Sequence, residues 1–334
     1  MSKKPSTPDK ADIPVATLRS MHLTMVRLRR FEERVAELLC GESEIKCPVH
    51  LYIGQEAVAT GVCANLRQDD YVFSTHRSHG HYLAKGGDMK ALMAELYGKA
   101  TGCSRGRGGS MHLASPEMGL PGSSAIVAGT IPLAVGAALA FTMQEKDTVA
   151  VAFFGDGAAN EGVFYESLNF ASLKKLPVIF VCENNLFSTH MPVAECLADT
   201  NIYKKAEAFC MPGVRIDGND VSEVFKTARQ AVAEARAGRG PALIECMTYR
   251  WRGHVGPNYD LDKGLRTKAE LDHWLAHCPI RQLEQFLLER GIMTEPGKRR
   301  IYESVDREID ESLVFAKESP CPDESELLDN VFKV

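Results

Sequence analysis

The stretch 148–189, TVAVAFFGDGAANEGVFYESLNFASLKKLPVIFVCENNLFST, leaves this chain few folds to choose from. It opens on an apolar run, Thr148 to Phe154, with the length and content of a buried strand. The run stops at Gly155-Asp156-Gly157, which lead into Ala158, Ala159, Asn160, Glu161 and Gly162. A segment of helical period follows, with Val163, Phe164, Leu168, Ala171 and Leu173 as its apolar positions. Pro177 opens a second apolar run, Val178 to Cys182, which ends in Glu183-Asn184-Asn185. Strand, turn, helix, strand is one βαβ unit, and it predicts an α/β fold with a mostly parallel sheet and helices on both faces.

Adjacent parallel strands put their C-terminal ends on one sheet edge, where open α/β folds bind ligands. Asp156 and Asn185 therefore converge although they lie far apart in the chain. Both offer hard oxygen ligands, which suit Mg²⁺ or Ca²⁺ better than zinc. Two such oxygens do not fill a Mg²⁺ shell, which phosphate oxygens and water usually complete. The glycines let the backbone come close to that phosphate, and the helix behind it offers free N–H groups. A nicotinamide dinucleotide site is the rival reading. It fits less well, because an acid inside the turn would repel a pyrophosphate without a cation, and no GxGxxG occurs.

Gly155-Asp156-Gly157 followed by Asn184-Asn185 resembles the thiamine diphosphate motif. The surrounding GDGAANEG and VCENN resemble the α subunit of the E1 component of 2-oxo acid (pyruvate-type) or acetoin dehydrogenase complexes. Further segments carry the same resemblance: HLYIGQEA from His50, then His76-Arg77 with His79-Gly80. The run GRGGSMH to His112, the stretch LPGSSAIVAG and TYRWRGH ending at His254 add to it. The resemblance spans about residues 15–320 and implies a thiamine-diphosphate-binding fold with Mg²⁺ and the cofactor. It places the metal on Asp156, Asn185 and the carbonyl of Phe187. The diphosphate falls to His76, Arg77, Gly157, Ala158 and His254, with His76 standing where the family has a tyrosine. Ala125 and Val127 lie where a family loop runs under the cofactor rings. His50, His79 and His254 are the implied catalytic histidines, and Glu56 the residue that caps and orders its helix.

The glutamate that activates the cofactor lies, in two-chain members, on a β subunit. The resemblance therefore implies an α₂β₂ assembly, a lipoylated E2 as acyl acceptor, and a 2-oxo acid or acetoin as acyl donor. A diphosphate-binding half of a split transketolase-like enzyme and a non-catalytic binding subunit are the alternatives.

The rest of the chain adds limits. A net charge of −5 and the lack of any basic block beyond Arg27–Arg30 argue against a nucleic-acid partner. Ten cysteines without a CxxC pair predict neither zinc site nor disulfide frame; Cys63, Cys182 and Cys246 sit in apolar runs as reduced core residues. The first residues carry acids and no apolar run, and nothing approaches a membrane span, so a cytoplasmic enzyme is expected. Three regions are predicted: a loose arm over 1–14, the α/β domain over 15–265, and a helical extension over 266–334 packed on it. The extension is expected to end in a solvated acidic tail. Within the domain, Asp88 is predicted to cap a helix, and 129–142 to form an Ala- and Gly-rich helix that is buried or lies at a subunit interface. The glycines around Arg105 and Arg107 suit a mobile pocket wall or a partner contact. Three histidines in six residues, His76, His79 and His81, offer a weaker metal-site reading.

Overall fold

The computed structural model describes residues 12–41 and 43–329. Its elements run α1 (Val15–Leu38), α2 (Glu56–Cys63), β1 (Tyr71–Ser74), α3 (Ser78–Ala84), α4 (Met89–Leu96), β2 (Gly122–Ser123), α5 (Thr130–Met143) and β3 (Ala150–Gly155). After β3 come α6 (Gly162–Lys174), β4 (Val178–Asn184), the hairpin β5 (Phe187–Ser188) and β6 (Met191–Pro192), and α7 (Val193–Cys196). The chain ends with β7 (Gly213–Asp217), α8 (Val221–Arg236), β8 (Ala242–Met247), α9 (Lys268–Ala276), α10 (Pro279–Glu289) and α11 (Glu295–Glu318).

Six strands make one parallel sheet in the order β2-β1-β3-β4-β8-β7. The expected βαβ unit is its centre: β3 and β4 are buried along nearly their whole length and pair from Ala150↔Val178 to Gly155↔Glu183. Their side chains alternate between two cores. Val151, Phe153, Ile179 and Val181 face the layer of α1, α2, α4, α8 and α10. Phe154, Val178, Phe180 and Cys182 face α5 and α6, with Ile131, Phe164 and Leu168. This period of two on both faces explains why the runs read as continuously apolar.

Several expectations are corrected. Leu173 is 72% exposed, because α6 buries Phe164, Ser167, Leu168 and Ala171 instead. A 3₁₀ turn covers Asp156–Asn160, and α6 starts at Gly162, where the helical period from Val163 places it. The acidic tail is solvated as expected at Glu318, Asp323 and Glu324, and is tied down at Glu326, which pairs with Arg107 of the glycine-rich loop at 2.7 Å, and at Pro320 O, which accepts from Ala100 N. Of the arm expected over 1–14, residues 1–11 lie outside the described residues, and Ile13 is buried. The Asp88 cap holds, with its side chain accepting from Lys90 N at 3.0 Å. Cys63, Cys182 and Cys246 are buried and free. Among the described residues no helix is long and apolar enough to cross a membrane.

Two buried carboxylates brace the layer that carries the cleft. Glu56 takes a two-pronged bond from Arg29 (Nε to Oε1 2.7 Å, Nη2 to Oε2 2.8 Å) and also accepts Gly54 N. The guanidinium lies 3.8 Å from the Trp251 ring, so α1, α2 and the segment after β8 meet at one ion pair. Glu95 is buried in the glycine-rich loop and accepts four backbone N–H groups, from Ser104, Gly106, Gly108 and Gly109, at 2.7–3.0 Å. The expected mobile wall is thus wound around a fixed anion. Arg29→Met should cost about 3–5 kcal/mol in urea unfolding, since it strands the Glu56 charge. The Arg29→Met/Glu56→Met pair should cost clearly less than the sum of the two single changes.

Candidate active site

The C-terminal ends of β1, β3, β4 and β8 surround a cleft of about 260 Å³. Into it β3 delivers Gly155, Asp156, Gly157 and Ala158, and β4 delivers Glu183 and Asn185. The turn after β1 adds Thr75, His76 and Arg77; the segment before α2 adds His50 and Gln55. Arg250 and His254 enter after β8, and Ser124–Ala128 with Met111 form the outer wall. A Cβ on Gly157 would meet Ser188 Oγ of the β5–β6 hairpin and force that hydroxyl to move, so the glycine lets turn and hairpin lie close together.

Charge is out of balance inside. Arg77 is buried, yet its bonds go to neutral atoms: Nη1 to Leu51 O at 2.9 Å, Nη2 to His254 O at 2.8 Å and to His254 Nδ1 at 3.2 Å. Because guanidinium only donates, His254 Nδ1 accepts and its Nε2 carries the ring proton. Burial, with Arg250 nearby, holds Arg77 well below the usual arginine range. Arg250 donates to Asn185 Oδ1 (3.3 Å) and Thr189 O (2.9 Å), while its Nη1 has no partner. Burial lowers it to about 10. Opposite them, Asp156 Oδ2 is buried without a partner, and burial pushes this carboxyl up to about 6. Asn185 is set by Gln55, which accepts its Nδ2 at 3.0 Å and leaves its own Nε2 unpartnered.

Three imidazoles line the cleft in mutual contact, with ring centres 4.8 Å (His50–His76), 5.0 Å (His50–His254) and 5.4 Å (His76–His254) apart. Burial first and Arg77 second hold them neutral, lowered to about 4, 2 and 3 for His50, His76 and His254.

The cleft thus gathers His50, His76, Arg77, Ala125, Val127, Asp156, Gly157, Ala158, Asn185, Phe187 and His254. It does not gather His79. That ring, on the first turn of α3, points into the core, with Nδ1 on Glu32 (2.9 Å) and Nε2 on Ser110 (2.9 Å). His81 is likewise engaged, by Ser74 and Glu183, so the three-histidine metal reading falls. Among the described residues no group of three His, Cys, Asp or Glu is placed to hold an ion. Sequence reasoning missed Gln55, Glu183 and Arg250 as lining residues. The rule of strand C-terminal ends, applied to β8 as well as β4, would have found Arg250.

The sequence model described as "Dehydrogenase E1 component" matches residues 23–325. The chain belongs to that family. Among its relatives is the chloroplastic pyruvate dehydrogenase E1 component subunit alpha-3 of Arabidopsis thaliana, 45% identical, with 92% of this chain and 72% of the relative covered. The alpha subunit of the acetoin:2,6-dichlorophenolindophenol oxidoreductase of Bacillus subtilis is 43% identical over 93% of this chain and 92% of its own. The pyruvate dehydrogenase E1 component subunit alpha of Porphyra purpurea is 42% identical over 96% and 97%. As a dehydrogenase E1 component, this chain is part of an oxidoreductase.

A carboxyl whose folded value is raised stabilises the fold while protonated and loses that contribution as pH rises through the folded value. For Asp156 the window runs from the model-peptide value of 3.8 to about 6. Asp156→Asn should therefore stabilise the ligand-free chain by about 2–3 kcal/mol at pH 7. The gain should vanish below about pH 4, as urea unfolding at the two pH values will show.

Proposed function

We propose that this chain is the α subunit of an E1 component that holds Mg²⁺ and thiamine diphosphate against a β subunit in an α₂β₂ assembly. It cleaves the C–C bond next to the carbonyl of a 2-oxo acid or acetoin and passes the acyl group to a lipoylated E2. The observation that carries this reading is the unbalanced charge of the cleft. Two buried guanidinium groups without a carboxylate partner face a buried carboxylate whose Oδ2 has no donor. A dinegative ligand bridged by a divalent cation satisfies both at once, because the cation takes Asp156 and the anion takes the arginines.

The residues present fit such a group. Asp156, Asn185 and the Phe187 carbonyl would hold the metal, leaving positions for phosphate oxygen and water. Arg77, with N–H groups to spare, and the backbone of Gly157 and Ala158 would hold the diphosphate. His76, His254 and Arg250 border the same space. Ala125 and Val127 would support the rings. When bound, thiamine diphosphate supplies the nucleophilic carbon and the electron sink for cleaving a bond next to a carbonyl. The chain's own part is to orient the diphosphate, to exclude water with apolar wall residues, and to keep His50 and His254 as neutral imidazoles that accept or donate a proton.

Calorimetric titration of thiamine diphosphate with Mg²⁺ into the chain with its β subunit tests the reading. Asp156→Ala should weaken binding at least 100-fold with an unchanged circular dichroism spectrum, and Arg77→Lys about tenfold or more, because an ammonium cannot offer the fork. Unchanged affinity in Asp156→Ala would sink the site. Acyl transfer to lipoylated E2, with none between sugar phosphates, is the expected activity; the reverse would favour a transketolase-like enzyme.

A further inference from the structure

A fourth imidazole stands at the rim of the cleft and differs from the other three. His190 lies in the turn of the β5–β6 hairpin, next to Ser188 and Thr189, which line the cleft. Its ring centre is 6.2 Å from that of His254, and its side chain is 37% exposed. Its Nε2 has no hydrogen-bond partner and points inward, 3.4 Å from Asp260 Oδ2.

Asp260 is a built feature. It is buried, adopts a left-handed backbone (φ 56°), and its Oδ2 accepts the main-chain N–H of His254 at 2.9 Å. A Cβ on Gly253 would collide with that carboxylate, so a glycine keeps the space open for it. The charged or titratable groups around His190 are thus Asp260 and His254 from the segment after β8, with Arg250 and Arg77 farther in. His50, His76 and His254 share the cleft with two cations and stay neutral. His190 alone of the four has a carboxylate beside its ring.

We propose that His190, held by Asp260, is the proton-exchanging histidine of this cleft, carrying a proton between solvent and the His254 side of the pocket. This rests on the function proposed above. The proton comes from hydronium or a buffer acid onto the exposed edge of the ring. It resides there as imidazolium against the Asp260 carboxylate, and leaves to a basic atom in the cleft directly or through one water. The ring returns to neutral, and only N–H and O–H bonds change. His190 acts through its neighbours and is a positioning and relay residue.

Two measurements judge it. Histidine-ring NMR of the ¹⁵N-labelled protein should show one cleft imidazole exchanging its ring proton with solvent faster than the others. That signal should disappear in His190→Ala and its exchange should change in Asp260→Asn. In the assembled enzyme, His190→Ala should lower kcat at least tenfold with KM changed less than about threefold, and added imidazole should restore part of the rate. Fast ring-proton exchange at His50, His76 or His254 instead, or a wild-type kcat in His190→Ala, would overturn the proposal. Cofactor affinity separates the two readings. His190→Ala should bind as tightly as wild type, whereas a wild-type enzyme that bound no cofactor would defeat the proposed function and leave the NMR proton exchange to judge His190.

Discussion

A guanidinium buried among neutral atoms is the constraint on which the rest of the cleft depends. Several other cations of this chain stand against carboxylates: buried Arg29 against Glu56, and half-buried Arg215 and Arg236 against Glu245 and Asp70. Each pair ties two elements together and leaves no net charge inside. Arg77 and Arg250 at the C-terminal edge of the sheet break that pattern, as does Arg266 behind them, which donates only to neutral oxygens. An uncompensated buried charge costs several kcal/mol, so the balanced pairs around it support a site that is unfavourable on its own. Burial first, and Arg77 and Arg250 after it, set the state of the histidines. His50, His76 and His254 are thereby held neutral in the ligand-free cleft.

Much of this was legible in the sequence. The centre of the sheet could be read because β3 and β4 are buried on both faces and therefore wholly apolar, and because their ends carry Gly-Asp-Gly and Asn-Asn. Topology then brings Asp156 and Asn185 to one edge, with no further information needed. What stayed hidden depends on partners that are remote in sequence. His79 looked like a neighbour of Arg77 in function as well as position. Yet one residue of helix turns its ring away from the cleft, toward Glu32 on α1 and Ser110 on the glycine-rich loop. Leu173 matched a helical period, but the face of α6 is chosen by where β3 and β4 lie.

The glycine-rich loop shows the same limit from another side. Its composition was read as freedom, while in the folded chain its N–H groups are donors for Glu95. Arg105, Gly106 and Gly109 take left-handed conformations there, which turns successive N–H groups inward around one carboxylate. A nest of this kind usually binds a phosphate; here the protein fills it with its own side chain. The loop's far end is then fixed by Ser110 on His79, and Met111 reaches the cleft from a rigid base.

The outer wall of the cleft argues for a second surface. Ile126 is 70% exposed and Val127 53%, although both line the site, and Ala128 beside them is held at φ 61°. Large apolar side chains standing in water at the mouth of a charged cleft are unfavourable unless something covers them. α5 continues the same surface: it buries Ile131, Ala134 and Ala138 against the sheet, while Leu133 and Met143 face outward. Between those two, Gly136 has open space where a Cβ would stand, so another helix can approach the backbone closely. Of the two expectations for this segment, the exposed face supports the interface. Covering that face would also close the cleft over Asp156 and Arg77, so assembly and ligand burial would strengthen each other.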